Sequence, residues 1–211
     1  MVNLFFDIET IPSADEHKET HLEILRKKNK GRDDEDLHRS TSFEGTFGRI
    51  CCIAVIKELD GKETKREIFS GDEKKILTDF WKISSDVNRF IGHNIWEFDL
   101  PFIYQRSIIN GVKPRMDISF ARYRNTPIYD TMKEWSLWSF EKNQKLDTLA
   151  KVLDLPTSKD EMDGSMVWDY FQDGRIEEIC KYCMKDVELT RKVYKKMVFE
   201  EPQKVQEDLP F

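Results

Sequence analysis

The chain is short of several things. It has only four cysteines, Cys51, Cys52, Cys180 and Cys183, in 211 residues. Its N-terminus has no basic segment, and the first apolar stretch meets Asp7 at once, so it does not read as a secretion signal. A disulfide scaffold is thereby excluded, and the expectation is of reduced, buried thiols in a cytoplasmic protein. No apolar run exceeds strand length, which leaves no candidate for a membrane-spanning helix. Positive charge is in deficit, with 34 Lys and Arg against 40 Asp and Glu and a net charge of −6. That argues against a broad basic face for duplex DNA. It does not exclude chemistry on phosphates, because bound divalent cations reverse the local sign of an acidic site. No internal repeat is present. What remains is 39% hydrophobic and 35% charged, enough for one sizeable core under a heavily charged surface.

Residues 2–6 form a nearly continuous apolar run, as expected of a central strand covered on both faces. Segment 13–46 then breaks the pattern. Ser13 and Glu16 look like a capping box opening a surface helix, and 27–46 reads as a mobile charged loop. Segments 50–59 and 66–69 are strand-like, and Asp60-Gly61 between them is a hairpin signal. A helix is expected over 73–83, a short strand at 90–91 and a helix over 98–109 closed by Asn110-Gly111. A last strand is expected at 128–129, followed by helices over 131–140, 146–153 and 175–198. The pattern predicts an α/β fold: a mixed five-stranded sheet with helices on both faces. Residues 1–199 read as a single domain containing the insert 13–46, and 200–211 as an extended tail.

Asp7 and Glu9 follow the first apolar run at i, i+2, which puts both carboxylates on one side of a strand. Their place at the carboxyl end of a buried strand is where open α/β sheets put their sites. Two like charges so close call for a counter-charge, and a divalent cation with oxygen ligands supplies one. A solvated strand end is the bland alternative. On the final helix, Ile179, Tyr182, Asp186, Leu189 and Val193 form one row, apolar except for its carboxylate and phenol. A charge in such a row needs a partner, basic or metallic. Asp99 stands near a helix start, where complementing the helix dipole is explanation enough. Asp130 before Thr131 reads as an N-cap. His17 and His21 have ligand spacing among solvated neighbours and read as no site. Cys51 and Cys52 should point to opposite faces of their strand, which speaks against a four-cysteine zinc site. Trp135 and Trp138 read as core.

Taken together, Asp7-Ile8-Glu9-Thr10, Asn94-Ile95-Trp96-Glu97-Phe98-Asp99 and Tyr182-Cys183-Met184-Lys185-Asp186 resemble the three motifs of DEDD-type 3′→5′ exonucleases, in order. The Tyr-x₃-Asp ending is that of the tyrosine subclass, which includes the proofreading domains of family B polymerases. The likeness is greatest to the stand-alone bacterial predicted exonucleases related to that domain. His93, where relatives often carry an aromatic residue, and the charged insert depart from the pattern.

The resemblance implies a ribonuclease H-like fold and two Mg²⁺ or Mn²⁺ ions held by Asp7, Glu9, Asp99 and Asp186. It also implies that Tyr182 orients the attacking water. Thr10, Ile11, Asn94 and Phe98 would contact the terminal nucleotides, with Ile11 or Phe98 packing on bases. The implied activity is hydrolysis of single-stranded 3′ ends of DNA to nucleoside 5′-monophosphates by a two-metal mechanism. RNA 3′-end trimming is the nearest alternative, and a non-catalytic nucleic-acid-binding module of the same fold is the rival from another class. The last six residues, with Gln206, Leu209 and Phe211 as anchors, resemble the short peptide by which bacterial replication and repair proteins dock on the sliding clamp.

Overall fold

The structure, a computed structural model, describes residues 1–157 and 162–200. The chain opens with β1 (Val2–Ile11), passes through α1 (Asp15–Lys28) and α2 (Asp34–Ser40), and returns along β2 (Arg49–Leu59) and β3 (Lys62–Ser70). Next come α3 (Glu73–Ile83), β4 (Arg89–Gly92), α4 (Asp99–Ile109) and β5 (Ile128–Asp130). The chain then turns helical, with α5 (Thr131–Ser136), α6 (Leu146–Val152), α7 (Val167–Gln172) and α8 (Ile176–Met197). The strand order is β3-β2-β1-β4-β5, antiparallel from β3 to β1 and parallel from β1 to β5. This is the expected five-stranded mixed α/β sheet of ribonuclease H-like type.

Alternation along β1 sorts the two faces. Leu4, Phe6 and Ile8 enter one core with α3 and α4, while Phe5 and Ile11 enter the other with α7 and α8. Asp7 and Glu9 share the parity of Phe5 and therefore look toward α8. Ion pairs fasten that helix: Glu58 of β2, itself buried, meets both Arg191 and Lys195.

Several sequence expectations need correction. β1 does not end at Asp7 and Glu9; it runs on to Ile11 because antiparallel β2 keeps pairing with it. The parallel neighbour β4 does stop, at Gly92, so Asp7 and Glu9 stand just beyond the end of β4. The β1–β2 register slips between Glu9 and Thr10. This bulge turns Cys51 and Cys52 to the same side, and all four cysteines lie in the α8-side core. They still make no four-ligand group among the described residues.

The insert opens with the expected surface helix, α1, but the stretch expected as a loop, 27–46, holds α2. Ser13 is buried and caps nothing, because its backbone is engaged by Thr41 Oγ1 (2.9 Å) and His38 Nε2 (3.1 Å). Ala14 takes the N-cap of α1 instead. Asp33 caps α2 by accepting from the Asp36 amide at 2.8 Å, and Leu22, Leu25 and Leu37 make a small core of their own. The helix expected over 131–140 ends at Ser136, where Leu137 turns left-handed. Trp135 is exposed and Trp138 half-buried, so neither is core. The tail anchors Gln206, Leu209 and Phe211 lie outside the described residues.

Candidate active site

The three motifs converge at the edge where the parallel strands end. β1 carries Asp7 and Glu9, the segment after β4 leads to Asp99 at the first turn of α4, and α8 lays Tyr182 and Asp186 against them. Gly92 permits this approach: a Cβ there would sit 2.1 Å from Ile95 Cγ2 and 3.0 Å from the Phe6 carbonyl. Asp99 is buried and accepts from the Ile8 amide at 3.2 Å, which ties α4 to β1.

The electrostatics are those of a cluster of like charges. Burial, followed by the charges of Asp99, Glu9 and Asp186, raises the Asp7 carboxyl well above its ordinary value. Burial raises Glu9 similarly, followed by Asp186 and Asp99. Asp99 is pushed up to about 8, first by burial and then by Asp130. No basic side chain among the described residues is an influence on these three carboxyls. Burial, then the charge of Asp186, raises the Tyr182 phenol, which stays protonated and hydrogen-bonds with that carboxylate. Tyr182 also lines a cavity of 660 Å³ with Tyr170, Arg175, Lys181 and Lys185.

Carboxylates that raise one another's pKa, with no cation among the described residues influencing them, suit a divalent metal and oxygen ligation. Among the described residues, potential ligand atoms of Asp7, Glu9 and Cys183 all lie within 4.8 Å of one another. Burial holds the Cys183 thiol protonated, so it serves as a donor, with Sγ 3.6 Å from Asp7 Oδ2 and 3.4 Å from its carbonyl. A hard cation would prefer the oxygens.

The expected nucleotide contacts divide. Phe98 is half-buried beside a small cavity shared with Phe43 and Gly45. Thr10 Oγ1 donates to the Ser42 carbonyl at 2.7 Å, which brings the end of the insert to the site. Ile11 is a correction: it is buried in the α8-side core and offers no surface to a base. Asn94 adopts a left-handed φ of 64°.

Sequence reasoning missed the reach of Asp130. Its carboxylate accepts from the amides of Met132 (2.9 Å) and Lys133 (3.2 Å) as the N-cap of α5. It also accepts from Asn94 and Trp96, both at 2.9 Å, and so sets the path of the second motif. His93 joins the same brace. Burial lowers its pKa to about 4, so the ring is neutral. Its Nε2 donates to the Gln144 carbonyl at 3.0 Å, since a carbonyl only accepts, and Nδ1 faces Thr131 Oγ1 at 2.9 Å.

Residues 41–208 match the family described as predicted 3′-5′ exonuclease related to the exonuclease domain of PolB. The match takes in Asp99, Tyr182 and Asp186 and begins after Asp7 and Glu9. No curated protein matches the chain.

Proposed function

The chain belongs to the family of predicted 3′-5′ exonucleases related to the exonuclease domain of PolB, and from that premise we propose that it removes nucleotides from single-stranded DNA 3′ ends as nucleoside 5′-monophosphates. The observation that carries the reading is the group of half-buried Asp7 with buried Glu9 and Asp99, whose pKa values rise chiefly through desolvation and neighbouring carboxylates, with no basic side chain among the described residues influencing them. Asp7, Glu9, Asp99 and Asp186 would hold two Mg²⁺ or Mn²⁺ ions, which supply water activation and neutralisation of the departing 3′ oxyanion. Tyr182, protonated, orients the attacking water and does not abstract its proton. Phe98, Thr10 and Asn94 position the terminal nucleotides, and Asp130 holds the Asn94–Trp96 segment in place. The reading takes residues 1–199 as one nuclease domain.

Oligomers of DNA and RNA labelled at either end test this, with Mg²⁺, Mn²⁺ or EDTA. The expected result is a ladder from the 3′ end of single-stranded DNA that EDTA abolishes. Asp7→Asn or Asp186→Asn should slow it by at least about a hundredfold. Faster trimming of RNA would move the substrate to the alternative, and wild-type rates in either variant would refute the site. The tail resemblance adds a finer proposal, that Gln206, Leu209 and Phe211 dock on a sliding clamp. Calorimetry of the tail peptide against the host's clamp should give micromolar binding that Leu209→Ala with Phe211→Ala removes, and no binding would end the idea.

A further inference from the structure

The segments that follow β4 and flank β5 on either side carry an aromatic surface that the catalytic chemistry does not use. Trp96 and Trp138 meet edge to face with ring centroids 5.5 Å apart, and Tyr123 tilts against Trp138 at 5.3 Å. The Arg122 guanidinium lies 5.2 Å above the Trp96 ring. With Phe140 these residues line an open cavity of 240 Å³. Tyr123 and Phe140 are 75% and 78% exposed, which hydrophobic burial alone would not select.

Three further observations set this patch apart from an ordinary exposed surface. Tyr123, Leu137 and Trp138 all adopt left-handed φ values (62°, 51° and 62°), a costly conformation for side chains of this size. The Trp96 indole nitrogen is buried without a hydrogen-bond partner among the described residues. The cavity's only acid, Glu97, is neutralised by Lys133 at 2.8 Å, which leaves Arg122 as its unspent positive charge on a chain of net charge −6.

Position completes the argument. β5 lies two strands from β1 in the sheet, about 10 Å at ordinary strand spacing. Asp130 and Gly92 are paired across β4 and β5, so the patch and the carboxylate cluster share one edge of the sheet. The Asp130 carboxylate takes the Trp96 amide directly and is itself among the influences on Asp99. A stacked strand rises about 3.4 Å per nucleotide, so roughly three nucleotides span the gap.

We propose that Trp96, Tyr123, Trp138 and Phe140, with Arg122, form a stacking platform for bases of the single strand upstream of its 3′ end. The inference rests on the nuclease reading above and deepens it, because it makes affinity depend on strand length and little on sequence.

Fluorescence anisotropy of 5′-labelled oligothymidylates of three and nine nucleotides tests the platform, with Ca²⁺ replacing Mg²⁺ and sedimentation run in parallel. In the wild type the nonamer should bind at least about tenfold tighter than the trimer, since each stacked base contributes substantially. Tyr123→Ala with Phe140→Ala, both exposed, should close most of that gap. Arg122→Gln should narrow it on its own, which guards against a double variant that fails to fold. A gap that survives all three substitutions overturns the platform, and so does a wild type that cleaves 3′ ends yet binds both lengths equally. In either case the nuclease reading stands, whereas a wild type that neither binds nor cleaves ends both. A wild-type dimer that the double variant dissolves, with the length dependence intact, would assign the patch to self-association instead.

Discussion

At the scale of single residues, chemistry was legible where a side chain broke a pattern. Asp186 is conspicuous in the apolar row of the last helix, and Asp7 and Glu9 directly follow a buried run. Residues whose work is done through backbone amides leave no such mark. Asp130 looks in sequence like any helix cap, and only the folded chain brings the Asn94 and Trp96 amides to its carboxylate. Cys183 is the reduced, buried thiol that the sequence leads one to expect, and nothing in the sequence shows that it donates to Asp7. The division between Tyr182 and the carboxylates gives a prediction. Tyr182→Phe keeps the ring and removes the hydroxyl that a protonated phenol offers to water. Turnover should fall about ten- to a thousandfold while Mg²⁺ affinity, read by calorimetry, stays near wild type. A rate equal to wild type, or lost metal binding, would show that the hydroxyl has another task.

At the scale of elements, the regular helices were readable and the irregular joins were not. The spacing of Ile76, Leu77 and Phe80 places α3 within its observed bounds, and Asp60-Gly61 marks the β2–β3 turn with φ values of 50° and 79°. The insert defeated periodicity because α2 buries only Leu37 and His38 and is otherwise charged. α7 was missed for a similar reason: six residues are too few to declare a face. Joins between elements depend on partners distant in sequence, and Glu73 is the sharpest case. From the first turn of α3 it accepts from the Ile50 amide (2.8 Å), from Arg106 Nε (2.9 Å) and Nη2 (2.8 Å), and from Asn110 Nδ2 (3.0 Å). It thereby binds α3, α4 and β2 into one layer. Glu73→Ala would leave the largely buried Arg106 and a strand amide unmatched, at a cost of about 3–5 kcal/mol. Urea unfolding should register the loss, and a change below about 1 kcal/mol would mean that water replaces the carboxylate.

At the scale of the whole molecule, the site sets how stability depends on pH and metal. Asp7, Glu9 and Asp99 all have folded-state pKa values raised chiefly by burial, with Asp99 at about 8, whereas unfolded carboxyls titrate near 4. Between those values the folded protein binds more protons than the unfolded chain, so stability falls as pH rises. The stabilisation from protonated carboxyls is complete below about pH 4 and disappears as pH passes the folded pKa values. Carboxylates shifted the opposite way stand largely in solvent, as Asp86 does beside Lys57, and contribute little because solvent screens them. In EDTA the melting temperature should therefore drop by several degrees from pH 5.5 to pH 8, at about 2–4 °C per kcal/mol for a chain of this size. Mg²⁺ should reverse the drop, raising the melting temperature more at pH 8 than at pH 5.5, because at pH 8 the cation no longer has to displace protons from the carboxylates. Asp99→Asn keeps the shape, removes one titrating group and should flatten the metal-free profile. Scanning fluorimetry across this range, with and without Mg²⁺, gives the comparison directly. A metal-free profile that is level or rises toward pH 8, and that Asp99→Asn leaves unchanged, would mean that the carboxylates are already balanced inside the fold and need no cation.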